Sequence, residues 1–451
     1  MHSVAPQRLP GPGVIAAVRG LARSGFLAYI GEAWKAHGDT FELNLGIRRL
    51  IFAMHPDAVR QANITNRQSY DKVRSYDGVR RYLTGAGLVA STGDLWRRQR
   101  KLMAPFFTPR GVEAYAGTML RDATRLAGRW DTLAADGRQI DMGDEMMLVT
   151  ASIILKAMFS TETDEAIVEM KDAVSTMIRY TSNLEQGFSL PPWAPTAANR
   201  AYRAAREQVY TYINGLIASR RAMPDAAWPD DLLTRLMQAR DEETGESMAE
   251  GLLRDESITT FFAGHETTAR TMSAAWYALA ANPDVAARLH AELDTVLGDD
   301  EPTVQALHRL PYTLQVVKEV LRLYPPAPFY VRDAVAADTI NGYAIPAGSA
   351  VMLSPYYTHR HPDFWEDPER FDPDRWTPAR EAARHPTAYH PFATGPRICI
   401  GNNFSLLESH LLLAVLARRF APRLAPGYTP EWVMEGTLSA ANGFPLLIEA
   451  R

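Results

Sequence analysis

A helical candidate that begins near Ser247 and runs to about Asn282 is the longest regular segment of this chain. Further helical candidates cover 15–35, 112–132, 141–160, 162–182, 197–220 and 311–324, and a last apolar one covers 402–418. Helix therefore dominates. Strands are confined to short pieces: TFELNLGIRRLIFAMHP alternates as a hairpin turning at Gly46, and Asn341-Gly342 marks another hairpin turn. Residues 1–14 are rich in proline and glycine and read as irregular. No repeat and no linker demands a division, so residues 1–451 are expected to form one mainly α domain with small β-sheets.

Charge and cysteine content narrow the chemistry. The formal charge is -4, so no bulk field points to nucleic acid or to an anionic membrane. One cysteine permits no internal disulfide and no multi-cysteine metal cluster. Arg19 and Arg23 interrupt the apolar positions near the N-terminus, which hold no continuous stretch approaching the roughly 20 residues that span a bilayer. No clear signal-peptide pattern is present either. The expectation is a soluble, cytoplasmic monomer without a transmembrane anchor.

The single cysteine lies in YHPFATGPRICIG, residues 389–401, just before the last apolar helix. Gly395 and Gly401 permit tight turns and close approach. Backbone N–H groups and the N-terminus of the following helix can hold a thiolate anionic. Arg397 adds positive charge, and Phe392 can pack beside the sulfur. A lone cysteine is more often a small buried hydrophobe, but nothing merely structural requires such a loop. The segment resembles the heme-binding signature of the cytochrome P450 superfamily at Phe392, Gly395, Arg397, Cys399 and Gly401, with Ala393 in place of the usual first glycine. That resemblance implies heme b (iron protoporphyrin IX), with Cys399 as the axial iron ligand and Arg397 at a heme propionate. It also implies the mainly helical, triangular fold of that family.

Four other segments follow the same pattern. In FFAGHETT, residues 261–268, small Ala263 and Gly264 would let a flat cofactor or dioxygen approach the helix backbone. Threonines bonded to backbone carbonyls could bend the helix there. By resemblance, Glu266 and Thr267 are the acid–alcohol pair that delivers protons to bound oxygen. His265 reads as a helix residue facing away from the heme. Glu319 and Arg322 lie three apart on one helix face, as ordinary surface pairs also do. They resemble the family's glutamate–arginine motif, with Arg370 of PERF completing a structural triad. His359 and His361 suggest no third ligand, so a zinc site is rejected. Trp96 and Arg100, four apart, can both donate to a carboxylate and resemble the family's propionate contact; Arg332 resembles another.

Arg97, Arg98, Lys101 and Arg110 form a basic patch near that pair. Such a run is usually a solvated face. Here it is also a candidate dock for an acidic electron donor, a ferredoxin or flavodoxin served by its own reductase, since the chain has no dinucleotide fingerprint of its own. Phe262, Ala263, Phe329, Tyr330 and Leu438 are candidate walls of an apolar substrate cavity, together with the 72–90 loop, Thr181–Pro192 and Glu435–Leu438. The resemblance implies a monooxygenase that uses O2 and inserts one oxygen atom into a mostly apolar small molecule, by C–H hydroxylation. A peroxide-driven peroxygenase and a non-enzymatic heme sensor remain open as alternatives.

Overall fold

The computed structural model describes residues 7–46, 49–160, 164–185, 192–240, 245–298 and 300–451. The chain divides into two compact units, each assembled from separated stretches of sequence. One comprises 1–75, 318–399 and 430–442; the other comprises 76–317, 400–429 and 443–451.

The first unit holds most of the sheet. Five strands run in the order Thr40–Asn44, Arg49–Ala53, Ala350–Leu353, Tyr330–Ala334, Tyr70–Asp71, with one parallel pairing between Arg49–Ala53 and Ala350–Leu353. Their apolar residues build a core in which Phe41 stacks on Phe52 at 5.2 Å, with Phe329, Tyr357 and Leu438 around them. Asn341 and Gly342 both take positive φ, as a two-residue hairpin of this twist requires. The helix Val14–His37 is long and apolar enough, by length and composition, to cross a bilayer. Gly25 breaks it with φ +74, leaving two pieces, 14–24 and 26–37. Each piece is well short of the roughly 20 residues a span needs.

The second unit is helical, with one three-stranded sheet of Gln139–Asp141, Pro445–Ala450 and Phe420–Leu424. Its axis is the helix Glu250–Ala281, here the long helix, which packs extensively against Met142–Phe159. Both are buried over most of their length, which fits their weak polar–apolar sidedness. Asp141 caps the start of Met142–Phe159 by accepting from the Gly143 N–H at 2.7 Å. Trp130 meets Trp276 edge-on at 5.1 Å, and both are fully buried. Pro283 opens the next helix, Pro283–Val296, where its missing N–H costs nothing.

Helix dominates as the sequence predicts, and the boundaries agree closely. The 141–160 segment is Met142–Phe159, and 402–418 is Asn402–Ala417. The 72–90 stretch carries short turns of helix at Asp77–Val79 and Arg80–Thr84. Much of the expected Thr181–Pro192 wall, residues 186–191, lies outside the described residues.

Candidate functional site

In the first unit the cysteine loop is a fixed turn. The Cys399 N–H donates to the Phe392 carbonyl at 2.9 Å and closes the loop on itself. Gly395 sits at φ +70, and a Cβ there would lie 2.1 Å from the Asn63 carbonyl oxygen. Glycine is therefore required twice over, by conformation and by space. Ala393 holds φ +58, a left-handed backbone that glycine would take without strain. Gly401 has an ordinary φ of -84, so a positive-φ turn is not what places a glycine there. Cys399 itself is exposed.

Around this loop the unit gathers cations. Arg332, 3% exposed, donates through Nε to Asn63 Oδ1 at 3.1 Å and lies over the Tyr330 ring. Asn63 in turn donates to the Tyr330 hydroxyl at 2.9 Å. Arg397 pairs with Asp71. Lys72 joins them: burial, then the charges of Arg332 and Arg397, hold its ammonium well below the usual lysine range. Cys399 and Asp71 act in the opposite direction. Two guanidinium groups and a lysine whose charge they oppose thus crowd one neighbourhood whose named acidic partner is Asp71. Such a setting favours an anionic ligand, and a heme bears two propionates and takes a thiolate on its iron. The residues present fit that group.

The ion network beneath the loop differs in one member from the expectation. Glu319 and Arg322 are both fully buried and bidentate, at 2.8 Å for each bond. Glu319 also accepts from the Trp376 indole N–H at 3.0 Å and the Asp372 N–H at 2.8 Å. The third charged partner is Arg375, whose Nε lies 3.4 Å from Glu319 Oε1 and which is 4% exposed. Arg370 does not complete the triad: its side chain is exposed, and only its carbonyl accepts from Arg322, at 2.8 Å. The two arginines sit five residues apart in PERFDPDRW. Asp372 caps the turn Pro373–Trp376, and that turn carries Arg375 inward.

His359 and His361 are placed as structural residues. His359 makes a 3.1 Å contact to the Arg322 carbonyl through Nδ1 and accepts from the His390 N–H at 2.8 Å, so both ring nitrogens are engaged. His361 lies 3.1 Å from Asp39.

In the second unit, Glu266 and Thr267 stand in the middle of the long helix. Glu266 is buried, with Arg270 at 3.5 Å one turn on. The half-buried Thr267 donates to the Ala263 carbonyl at 2.8 Å. Thr260, Thr271 and Ser273 make the same i to i−4 bond, yet the helix runs from Glu250 to Ala281 without a non-helical residue. Gly264 has a packing role that the sequence does not disclose. A Cβ there would lie 2.9 Å from Ile154 Cδ1, so the glycine lets the neighbouring helix pack closely. His265 is buried, stacks on Phe261 at 4.7 Å and is held below its ordinary value by burial.

Trp96 and Arg100 are half-buried on the helix Gly93–Met103, while Arg97, Arg98, Lys101 and Arg110 are exposed. Of the expected cavity walls, Phe262 and Ala263 are half-buried on the long helix. Phe329 and Leu438 belong to the packed core of the first unit instead, and Tyr330 is tied into the Asn63–Arg332 network. Phe329 precedes the strand Tyr330–Ala334 and Leu438 lies in Thr437–Ala440, and apolar character alone does not separate a core from a cavity wall. An open cavity of about 570 Å³ in the second unit is lined by other residues, Arg81, Tyr82, Tyr202, Arg203, Arg206 and Tyr210 among them. Sequence reasoning missed Asn63 and Lys72, which carry no motif, and gave the triad to Arg370 where Arg375 of the same segment holds it.

The fold and these features define a class, and comparison with known proteins agrees. The family model for Cytochrome P450 matches residues 6–446. Cyclooctatin synthase of Streptomyces melanosporofaciens is 35% identical over 431 residues, 94% of this chain and 91% of that protein. Cyclooctat-9-en-7-ol 5-monooxygenase of the same organism is 34% identical, covering 87% and 84%. Pentalenene oxygenase of Streptomyces avermitilis is 31% identical, covering 89% and 91%. The crystal structure of the cytochrome P450DA heme domain superposes with a TM-score of 0.91 at 28% identity, over 99% of this chain and 98% of that one. The chain belongs to the cytochrome P450 family. It is an oxidoreductase of the monooxygenase kind, and membership implies a heme cofactor, O2, an external electron donor and a small apolar substrate.

Proposed function

We propose that this protein hydroxylates a cyclic, largely hydrocarbon small molecule, with Cys399 as the axial ligand of heme iron. The observation that carries the ligand assignment is the pinned turn of Phe392–Cys399. It presents the chain's only thiol in a neighbourhood crowded by Lys72, Arg332 and Arg397. The substrate class rests on the relatives: one is named for an unsaturated alcohol and another for the alkene pentalenene. Heme, when bound through a thiolate, supplies the activation of O2.

The protein's own residues then have separate tasks. Arg397 and Arg332 are donors for the propionates, and the family resemblance gives Trp96 and Arg100 the same task. Glu266 and Thr267 hold and pass protons: the hydroxyl of Thr267 donates to Ala263 at rest and can turn to donate to a bound ligand, with Glu266 as the acid that resupplies it. Glu319, Arg322 and Arg375 keep the segment bearing the cysteine loop rigid. The exposed Arg97, Arg98, Lys101 and Arg110 offer a positive face to a ferredoxin or flavodoxin. Docking there weakens as salt rises. The interleaving of the two units along the chain supports treating 1–451 as one functional domain.

The first experiment is the carbon monoxide spectrum of the reduced, heme-loaded protein. Wild type gives the red-shifted Soret band of thiolate ligation, and Cys399→Ser loses it; a variant that keeps the band overturns the ligand assignment. Thr267→Ala is expected to consume O2 without a matching yield of product once a substrate is found by spectral screening of cyclic alkenes and their alcohols. Unchanged coupling removes Thr267 from the relay.

A further inference from the structure

Three turns before Thr267, the long helix carries two adjacent acids that grip a loop of the same unit. Asp255 Oδ2 accepts from the Ala86 N–H at 2.8 Å, and Glu256 Oε2 accepts from the Leu88 N–H at 3.0 Å. The loop is shaped for this grip. Gly85 has φ +58, and a Cβ there would lie 2.2 Å from Asp255 Oδ2. At Gly87 a Cβ would lie 1.9 Å from Thr259 Oγ1 and 2.8 Å from the Asp255 carbonyl. No side chain larger than hydrogen fits at either position without movement. Beyond the loop lies the helix Gly93–Met103, and its Gln99, 1% exposed, donates to the Ala86 carbonyl at 2.7 Å. Gln99 sits in the sequence between Trp96 and Arg100.

The polar accounting of this cluster does not close with an ionised acid. Glu256 is fully buried, and no cationic side chain pairs with it among the described residues. Its Oε1 is buried without a hydrogen-bond partner, and so is Oε1 of Gln99. Two buried acceptors with no donor between them are expensive. One proton on Glu256 supplies the missing donor: an acid O–H can donate to the amide oxygen of Gln99, whose side chain interacts with Glu256. Burial, with a smaller push from the Asp255 charge, raises Glu256 to about 8, while the Leu88 N–H and Gln99 act in the opposite direction.

The other charged groups nearby are engaged elsewhere. Asp255 is paired with Arg254, and Arg254 lies over Tyr210 of Ala197–Ala222. Arg80 donates to the Ala90 carbonyl. From Met142–Phe159, Lys156 is paired with Asp122.

We propose that Glu256 is carried as the neutral acid and acts as a positioning residue: its carboxyl bridges the Leu88 amide and the Gln99 side-chain oxygen, fixing residues 84–91 and the Trp96–Arg100 helix against the long helix. The heme-related arm of this proposal rests on the function proposed above; the latch itself does not. Opening the loop hydrates Glu256 and returns it to the ordinary carboxylate range. The closed form therefore binds one more proton than the open form between about pH 4.3 and about pH 8. Closure is tightest below that window and weakens by up to tenfold per pH unit as the pH rises through it.

Hydrogen exchange of the full chain tests this at residues 85–91. After correction for intrinsic exchange, wild-type protection at the Leu88 amide is expected to fall by up to about 100-fold from pH 5.5 to 7.5. Glu256→Gln, whose carboxamide offers the same acceptor and donor without titrating, is expected to hold protection flat. Asp255→Asn is expected to keep the wild-type slope. A flat wild-type profile, or the same slope in Glu256→Gln, overturns the proposal. In the loaded protein, hemin transfer to excess apomyoglobin is expected to quicken over the same window in wild type and not in Glu256→Gln. Release that ignores pH while the exchange slope is present overturns the positioning of the Trp96–Arg100 helix. Failure to take up hemin at all sinks the heme reading and leaves the exchange result to decide the latch.

Discussion

Each unit of this protein buries glutamates completely, and the two units treat them oppositely. In the first, Glu319 is surrounded by Arg322, Arg375, the Trp376 indole and the Asp372 amide, so the charge removed from water is met by charge and directed donors. In the second, Glu256 and Glu408 are equally buried but are paired with no cation among the described residues. Burial raises Glu408 well above the usual carboxylate range, with the Thr268 hydroxyl opposing and Asp122 adding to the rise. The comparison shows that burial alone does not set the role of an acid. Glu319, met by arginines and directed donors, is a structural clamp, whereas a fully buried acid without a cation is pushed toward its neutral form, which makes its contribution to stability depend on pH.

The largest effect is expected from breaking the clamp. Arg322→Ala leaves Glu319 buried with one flanking arginine, and should cost about 3–5 kcal/mol in urea unfolding. A loss near 1 kcal/mol would place Glu319 with the neutral acids. Arg375→Ala removes a secondary partner and should cost about 2 kcal/mol, within the usual range for a buried group left short of a bond.

On the other side, Glu408→Gln should change the pH dependence of stability more than its value near neutrality. Burial raises Glu408, so the folded protein keeps this proton to a higher pH than the unfolded chain, whose carboxyl titrates near about pH 4.3. Wild-type stability from this group is therefore complete only below about pH 4.3 and falls by up to about 1.4 kcal/mol per pH unit from there toward the raised native value. The variant should lose that slope; retaining it would assign the titration elsewhere.

Ala393→Gly relieves a left-handed backbone in the cysteine loop and should stabilise by about 1 kcal/mol, visible as a higher urea midpoint. The smallest effect is expected at Arg370. Arg370→Ala keeps the carbonyl that Arg322 uses, so its urea midpoint should match wild type within error, in contrast to Arg375→Ala.

These contrasts were only partly visible in the sequence. The Glu319–Arg322 spacing was legible because both residues lie on one helix face, and the cysteine turn was legible from its glycines and its single thiol. The choice between Arg370 and Arg375 was not, since PERFDPDRW holds both and only the capped turn at Pro373–Trp376 decides which side chain points inward. The packing role of Gly264 was not legible, because the side chain that needs the space, Ile154, is 110 positions away. Phe329 and Leu438 carried the right apolar character for a wall, and packing with Phe52 and Tyr357 made them core.

The sequence by itself determined the helical class, the family motifs and their order, because helix periodicity, turn chemistry and short spacings are properties of neighbouring residues. Tertiary structure alone decided which charges meet. Lys72, Arg332 and Arg397 are brought together from three distant segments, and Glu256 faces Leu88 and Gln99 across more than 150 positions. Desolvation and pairing depend on what surrounds a group in space, so the protonation of a buried acid is written into the packing and not into the local sequence.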